Sequence, residues 1–170
     1  MAKFTVGVSA ALFGAAGKPC FDERILAEVR DHDEIEMVVM PEGKTHLDGD
    51  DAARFDAVYL MLERADAETI DRSDRKLKLI ARHGVGFDTI DIPGMTGLGV
   101  MVTNTPVAVR RPVATMALTL MLAVSHRLIE KHHLTRAGRW AENADFMGTG
   151  LTRRKLGILG AGSIGSCLLY

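Results

Sequence analysis

Five short apolar runs recur between Phe4 and Val102, at residues 4–9, 35–40, 55–62, 77–81 and 100–102. The segments between them carry helix patterns or turn residues. Residues 21–30 set Ile25, Leu26 and Val29 on one helical face. Asp66 marks the start of a short helix, and Asp91 can cap another that Pro93 begins. Residues 42–54 read mostly as loop, because Gly43, Gly49 and four Asp or Glu residues dominate them. Short strands alternating with helices over about 100 residues predict an open parallel sheet covered on both faces. The expected fold is therefore α/β, with a flavodoxin-like domain over residues 1–103 and neither linker nor low-complexity stretch.

After Pro106 the texture changes. From 113 to 129 nearly every position is apolar, including Val113, Met116, Leu118, Leu120, Leu122, Val124, Leu128 and Ile129. A helix that is apolar on all sides must be buried on all sides. One sheet covers only one of its faces, so a second subunit is expected to cover the rest. The helix then turns basic and is expected to run on until Gly138 ends it near Trp140. Residues 147–151 are glycine-rich loop. Residues 155–159 read as a new strand that runs into Gly160-Ala161-Gly162-Ser163-Ile164-Gly165.

That spacing is a dinucleotide fingerprint. Gly160 permits a tight turn, Gly162 lets backbone approach a pyrophosphate, and Gly165 lets a following helix pack on the strand. The anion would sit at that helix's N-terminus. The acidic residue that binds a ribose is expected about 20 residues past the glycines. Residues 104–170 are accordingly expected to form the start of a truncated Rossmann domain.

Composition narrows the function classes. A net charge of -1 offers no basic surface for nucleic acid, and 5% aromatic residues are few for base stacking. Cys20 and Cys167 form no metal-ligand spacing, so no metal site is expected and reduced thiols fit a cytoplasmic protein. Lys3 and the run to Phe13 have the outline of a secretory signal, but Thr5, Gly7 and Ser9 alternate with Phe4, Val6 and Val8 as a first strand would. No apolar run reaches the roughly 20 residues of a membrane-spanning helix.

Five ordered motifs now resemble one family. They are Arg82-His83-Gly84-Val85-Gly86-Phe87-Asp88-Thr89-Ile90-Asp91, Val102-Thr103-Asn104-Thr105-Pro106, Val113-Ala114-Thr115, Arg136-Ala137-Gly138-Arg139-Trp140, and Leu156-Gly157-Ile158-Leu159 leading into the glycines. Together they resemble the D-isomer-specific 2-hydroxyacid dehydrogenases. The resemblance implies hydride transfer between NAD(H), with NADP not excluded, and a small 2-hydroxy or 2-oxo acid. It implies that the backbone N–H groups of Val85 and Gly86 hold the substrate carboxylate, which agrees with the anion affinity of a tight glycine turn. It gives cofactor contacts to Gly160, Gly162, Ser163, Ile164, Gly165 and Thr115. Thr115 departs from the acidic residue common at its position, and its contact would be with the nicotinamide end. The resemblance also makes the 113–129 helix a homodimer interface.

The family's catalytic arginine, glutamate and histidine follow the glycine motif, so no residue of this chain inherits those roles. The expectation is a partial member, inactive by itself. His126, His132, His133 and Glu130 lie on the polar end of a helix, and His83 reads as a polar turn residue rather than a base. Two other readings stand beside the enzyme. One is a non-enzymatic α/β dimerisation module derived from the family. The other is an unrelated flavodoxin-like binding or receiver domain, although Ser9-Ala10-Ala11 offers no acidic cluster of the receiver type.

Overall fold

Val6 and Val8 alternate with Thr5 and Gly7 in β1 (Phe4–Val8), and this short strand becomes the pivot of the sheet. It pairs in parallel with β2 (Ile35–Val39) on one side and β3 (Ala57–Leu60) on the other. Val6 stands opposite Met37 and Ala57. The computed structural model describes residues 3–169. Beyond β3 lie β4 (Leu79–Arg82) and β5 (Met101–Thr103), giving a parallel five-stranded sheet in the order β2-β1-β3-β4-β5. This is the expected flavodoxin-like arrangement. In such a sheet ligands collect outside the carboxyl ends of the strands.

Four helices connect the strands: α1 (Glu23–Arg30), α2 (Gly49–Arg54), α3 (Ala67–Ile70) and α4 (Ile92–Gly97). Asp91 caps α4 by accepting from Gly94 N at 3.0 Å, as its sequence position predicts. The helix α2 corrects the expectation of loop over 42–54. Its N-terminus is a reciprocal capping box, with Asp51 N donating to Asp48 at 3.0 Å and Asp48 N donating to Asp51 at 3.1 Å. Lys44 lies 2.7 Å from Asp48 and 2.6 Å from Asp51. Burial works against the Lys44 charge, but the two carboxylates outweigh it and raise its pKa.

The core gathers Phe55, Leu47, Leu60, Ile70, Ile80 and Met95, all fully buried. Phe55 sets the packing at the sheet. Its ring lies so close to Gly7 that a Cβ there would come within 2.8 Å of it. Close packing of this kind tolerates neither a missing ring nor an added methyl.

The chain divides into two units, Met1–Pro106 and Val107–Tyr170. The second holds α5 (Arg110–Ser125) and α6 (Leu128–Arg136), with Trp140–Phe146 and Gly165–Leu168 as 3-10 helices. The single long helix expected from 113 into the 130s is thus broken, and α5 and α6 are bent by 61°. Arg127 takes a left-handed φ of 51° at the break. The cause is a distant loop. Thr149 N donates to the Ser125 carbonyl at 2.7 Å, and Gly148 packs so tightly on His126 that a Cβ would meet its Cα at 2.7 Å. Gly138, at φ 68°, follows the last turn of α6 as expected.

A third correction concerns 155–159. These residues form no strand, and Leu156 and Leu159 are exposed. A strand exists only where a neighbour accepts its ladder bonds, and none of the described residues does so. Among the described residues no single helix is long and apolar enough to cross a membrane.

Replacing Phe55 with Ala should lower the unfolding free energy of the first unit by about 3–5 kcal/mol. Urea denaturation followed by circular dichroism measures it, and an unchanged midpoint would remove Phe55 from its central place in the core.

Candidate functional site

β4 and β5 are parallel neighbours with Ala81 opposite Thr103, so their carboxyl ends emerge side by side. From β4 comes the turn His83-Gly84-Val85-Gly86, and from β5 comes Asn104-Thr105. The two segments bind each other. Gly84 N donates to Thr105 Oγ1 at 2.9 Å, Thr105 N donates to the Gly84 carbonyl at 2.8 Å, and Asn104 Nδ2 donates to the Val85 carbonyl at 2.8 Å. Gly84 needs to be glycine for its backbone, whose φ is 114°. The Arg82 guanidinium lies beside it and donates to the His83 carbonyl. The N–H groups of Val85 and Gly86 find no acceptor among the described residues. The turn is held by its carbonyls and by Gly84, which leaves two adjacent donors free.

His83 sits at the root of this turn. Its Nδ1 shares a 2.6 Å hydrogen bond with the Tyr59 hydroxyl, and its ring packs 5.7 Å from Phe21. Burial first, and the Arg82 charge second, hold the imidazole below its ordinary pKa. Burial and then the neighbouring Cys20 raise the Tyr59 phenol. A neutral ring with one nitrogen engaged by Tyr59 fits the expected polar turn residue.

The carboxyl ends of β1 and β3 carry a second feature. Glu63 is buried and accepts from Ser9 Oγ, from Met61 N at 3.0 Å and from Leu62 N at 3.0 Å. Its lone pairs serve the loop after β3. It lines a cavity of about 340 Å³ with Lys44, Thr45 and Leu62. Sequence reasoning missed this glutamate, since a carboxylate in a loop is ordinarily solvated.

In the second unit the glycine turn is present without its usual supports. Gly160 has φ 91°, and a Cβ on Gly165 would lie 2.1 Å from the Gly160 carbonyl oxygen, so both positions demand glycine. The expected anion position at a helix N-terminus is not formed, because only the four-residue 3-10 helix Gly165–Leu168 follows. A cleft of about 750 Å³ brings Thr115 and Ser163 together with Arg110, Arg111, Ala114, Leu118, Ser166 and Cys167. Gly160, Gly162, Ile164 and Gly165 stand behind Ser163 in the turn and do not line that cleft. Space around Gly162 is open, so backbone approach by a phosphate is unobstructed there. These residues fit a phosphate-bearing group in part: glycine turn and hydroxyls are in place, but strand and helix are not. Among the described residues no three His, Cys, Asp or Glu side chains converge as a metal site.

A parallel five-stranded α/β sheet whose β4 ends in a glycine turn, followed in the chain by a second glycine turn of dinucleotide spacing, sets the class of α/β fold. The comparisons specify it. The sequence model described as D-isomer specific 2-hydroxyacid dehydrogenase, catalytic domain, matches residues 16–162. Glyoxylate reductase of Thermococcus onnurineus is 41% identical over 120 residues, covering 66% of this chain and 36% of that protein. D-3-phosphoglycerate dehydrogenase of Synechocystis is 34% identical over 112 residues, covering 66% of this chain and 20% of that protein. The crystal structure of a D-isomer specific 2-hydroxyacid dehydrogenase, NAD-binding, from Polaromonas superposes with a TM-score of 0.78 at 28% identity, over 98% of this chain and 51% of that one. The chain therefore belongs to the D-isomer specific 2-hydroxyacid dehydrogenase family, whose members named here are a glyoxylate reductase and a D-3-phosphoglycerate dehydrogenase. It spans about a third of the length of the glyoxylate reductases it matches.

The pKa of His83 predicts a pH dependence. The unfolded ring binds its proton more readily than the folded one, so stability falls as pH drops through the ordinary histidine range and levels off below the folded pKa. Comparing wild type with His83→Gln in urea between pH 8 and pH 5 isolates this contribution. Wild type should lose more stability than the variant on acidification, and parallel curves would contradict the assignment.

Proposed function

We propose that the chain supplies the substrate-carboxylate site and part of the cofactor site of an NAD-dependent dehydrogenase acting on a small 2-hydroxy or 2-oxo acid. The observation that carries this reading is the pair of free N–H donors at Val85 and Gly86, in a turn clamped by Asn104 and Thr105. Two backbone donors fixed side by side suit the two oxygens of a carboxylate, and they cost no rearrangement when the ligand arrives. Bound NAD(H) would supply the hydride chemistry, and Thr115, Ser163 and the turn 160–165 are the residues that would hold it. By the family pattern, proton transfer and carbonyl polarisation belong to groups outside these 170 residues. His83 does not replace them, because its Nδ1 is engaged by Tyr59.

Three consequences follow for the 170 residues assayed by themselves. They should not oxidise NADH with glyoxylate, pyruvate or hydroxypyruvate, since an acid–base group typically contributes about 10²–10⁴-fold. Consumption above a heat-killed control would contradict the reading. Their affinity for NAD should be weaker than micromolar, because no strand or α-helix braces the glycine turn. Glyoxylate should still bind, and Asn104→Ala should weaken it about five-fold, the equivalent of about 1 kcal/mol. Calorimetric titration measures both, and equal glyoxylate affinity in wild type and variant would count against the site.

The reading includes a homodimer through α5. Met116, Leu120 and Val124 follow one another at helical spacing, Leu120 is 58% exposed and Val124 78%. Apolar burial is worth roughly 25 cal/mol per Å², so pairing this stripe with a second copy removes an unfavourable surface. The same stripe favours a second function, an α/β dimerisation module that acts by pairing rather than by catalysis. Light scattering of wild type and Leu120→Asp separates dimer from monomer. A wild type that runs as a folded 18.5 kDa monomer would refute the interface in both readings.

A further inference from the structure

The near-zero net charge conceals two opposite halves. Residues 1–106 carry twelve Lys or Arg against nineteen Asp or Glu, and residues 107–170 carry nine against three. A chain that is neutral as a whole therefore presents a strongly cationic second unit. Within that unit two of the nine cations meet at one cleft. Arg110 and Arg111 both line the 750 Å³ cleft, and both also line an adjoining cavity of about 280 Å³ with Val107, Ala108 and Cys167. No acidic side chain lines either space. Among the described residues neither guanidinium has a salt-bridge or hydrogen-bond partner; Arg136, Arg153 and Arg154 share that condition but line neither space. Arg110 is half-buried, which raises the cost of leaving its charge without a counter-ion. Across the cleft stand Ser163 and Ser166. Ser166 Oγ donates to the Ala161 carbonyl at 3.0 Å and keeps its oxygen free to accept, while Thr115 adds a further hydroxyl.

We propose that Arg110 and Arg111 are anion-binding residues, and that with Ser163 they form a cradle for the diphosphate group of a nucleotide. Guanidinium groups match phosphate oxygens in a fork of parallel N–H donors, and two neighbouring arginines suit the two phosphates of a diphosphate better than a single carboxylate or sulfate. The inference rests on the reading of 160–165 as a dinucleotide turn and deepens it. It places the electrostatic part of cofactor binding on the start of α5.

The test is calorimetric titration of the full chain with inorganic pyrophosphate, with sulfate at matched ionic strength, and with NAD. Wild type should bind pyrophosphate in preference to sulfate. The double variant Arg110→Gln/Arg111→Gln should weaken pyrophosphate about tenfold or more and flatten its salt dependence. Arg111→Lys should keep part of the affinity, since it retains charge but loses the fork. Both side chains reach solvent at the cleft, and matching circular dichroism spectra confirm the fold of the variants. Equal pyrophosphate affinity in wild type and double variant, or equal binding of sulfate and pyrophosphate, would overturn the inference. NAD binding that survives in that double variant would overturn it too, and would leave the dinucleotide reading standing. Arginine-dependent pyrophosphate binding that NAD cannot displace would support the cradle and remove the dinucleotide reading instead.

Discussion

The hydrogen bonds between the β4 turn and the segment after β5 organise the first unit's chemistry. Gly84 gives its N–H to Thr105, takes one back at its carbonyl, and the next carbonyl, that of Val85, is taken by Asn104. Without these bonds a turn with φ 114° at Gly84 would be one of many glycine conformers. With them the turn is tied at Gly84 and Val85, and the N–H groups of Val85 and Gly86 stay without an acceptor among the described residues. The parallel pairing of β4 with β5 brings the two segments together, and the buried side chains Ile80 and Met95 hold those strands in the core. Core, sheet and site thus form one dependency. The core sets the strands, the strands set the loops, and the loops set two amides.

Much of this was legible in the sequence for local reasons. Strand positions follow from short β-branched runs, and the turn after β4 follows from its glycines. The cap of α4 was visible as Asp91 before Pro93. The helix α2 was also locally encoded, in Asp48 and Asp51 three residues apart, but glycines and charges obscured it. What could not be read depended on distant residues. The break between α5 and α6 comes from Gly148 and Thr149 pressing on Ser125 and His126, some 22 positions upstream. The buried role of Glu63 needs Ser9, 54 residues away. The apolar run at 155–159 has the pattern of a strand, yet strands are made by partners and not by pattern alone.

The two units divide the chemistry unequally. In the first, the proposed anion site is a neutral peptide device: N–H donors without acceptors, no charged side chain bonded to them, and a histidine whose pKa is lowered by burial and by Arg82. In the second, nine Lys or Arg face three Asp or Glu, and two of the nine, Arg110 and Arg111, line one cleft. Preorganised dipoles serve a small ligand that must be oriented, whereas guanidinium groups serve a multiply charged one that must be attracted. Family membership is consistent with this division, since a hydroxy acid and a dinucleotide are ligands of those two kinds.

The central claim is that Val85 and Gly86 hold a carboxylate through their backbone. Amide proton and nitrogen chemical shifts of a ¹⁵N-labelled sample, followed through a glyoxylate titration, test it most directly. The account predicts downfield proton shifts that saturate together at Val85 and Gly86, with smaller changes at Gly84 and Thr105, whose amides are already bonded. Saturating shifts elsewhere in the chain, with Val85 and Gly86 unmoved, would contradict it.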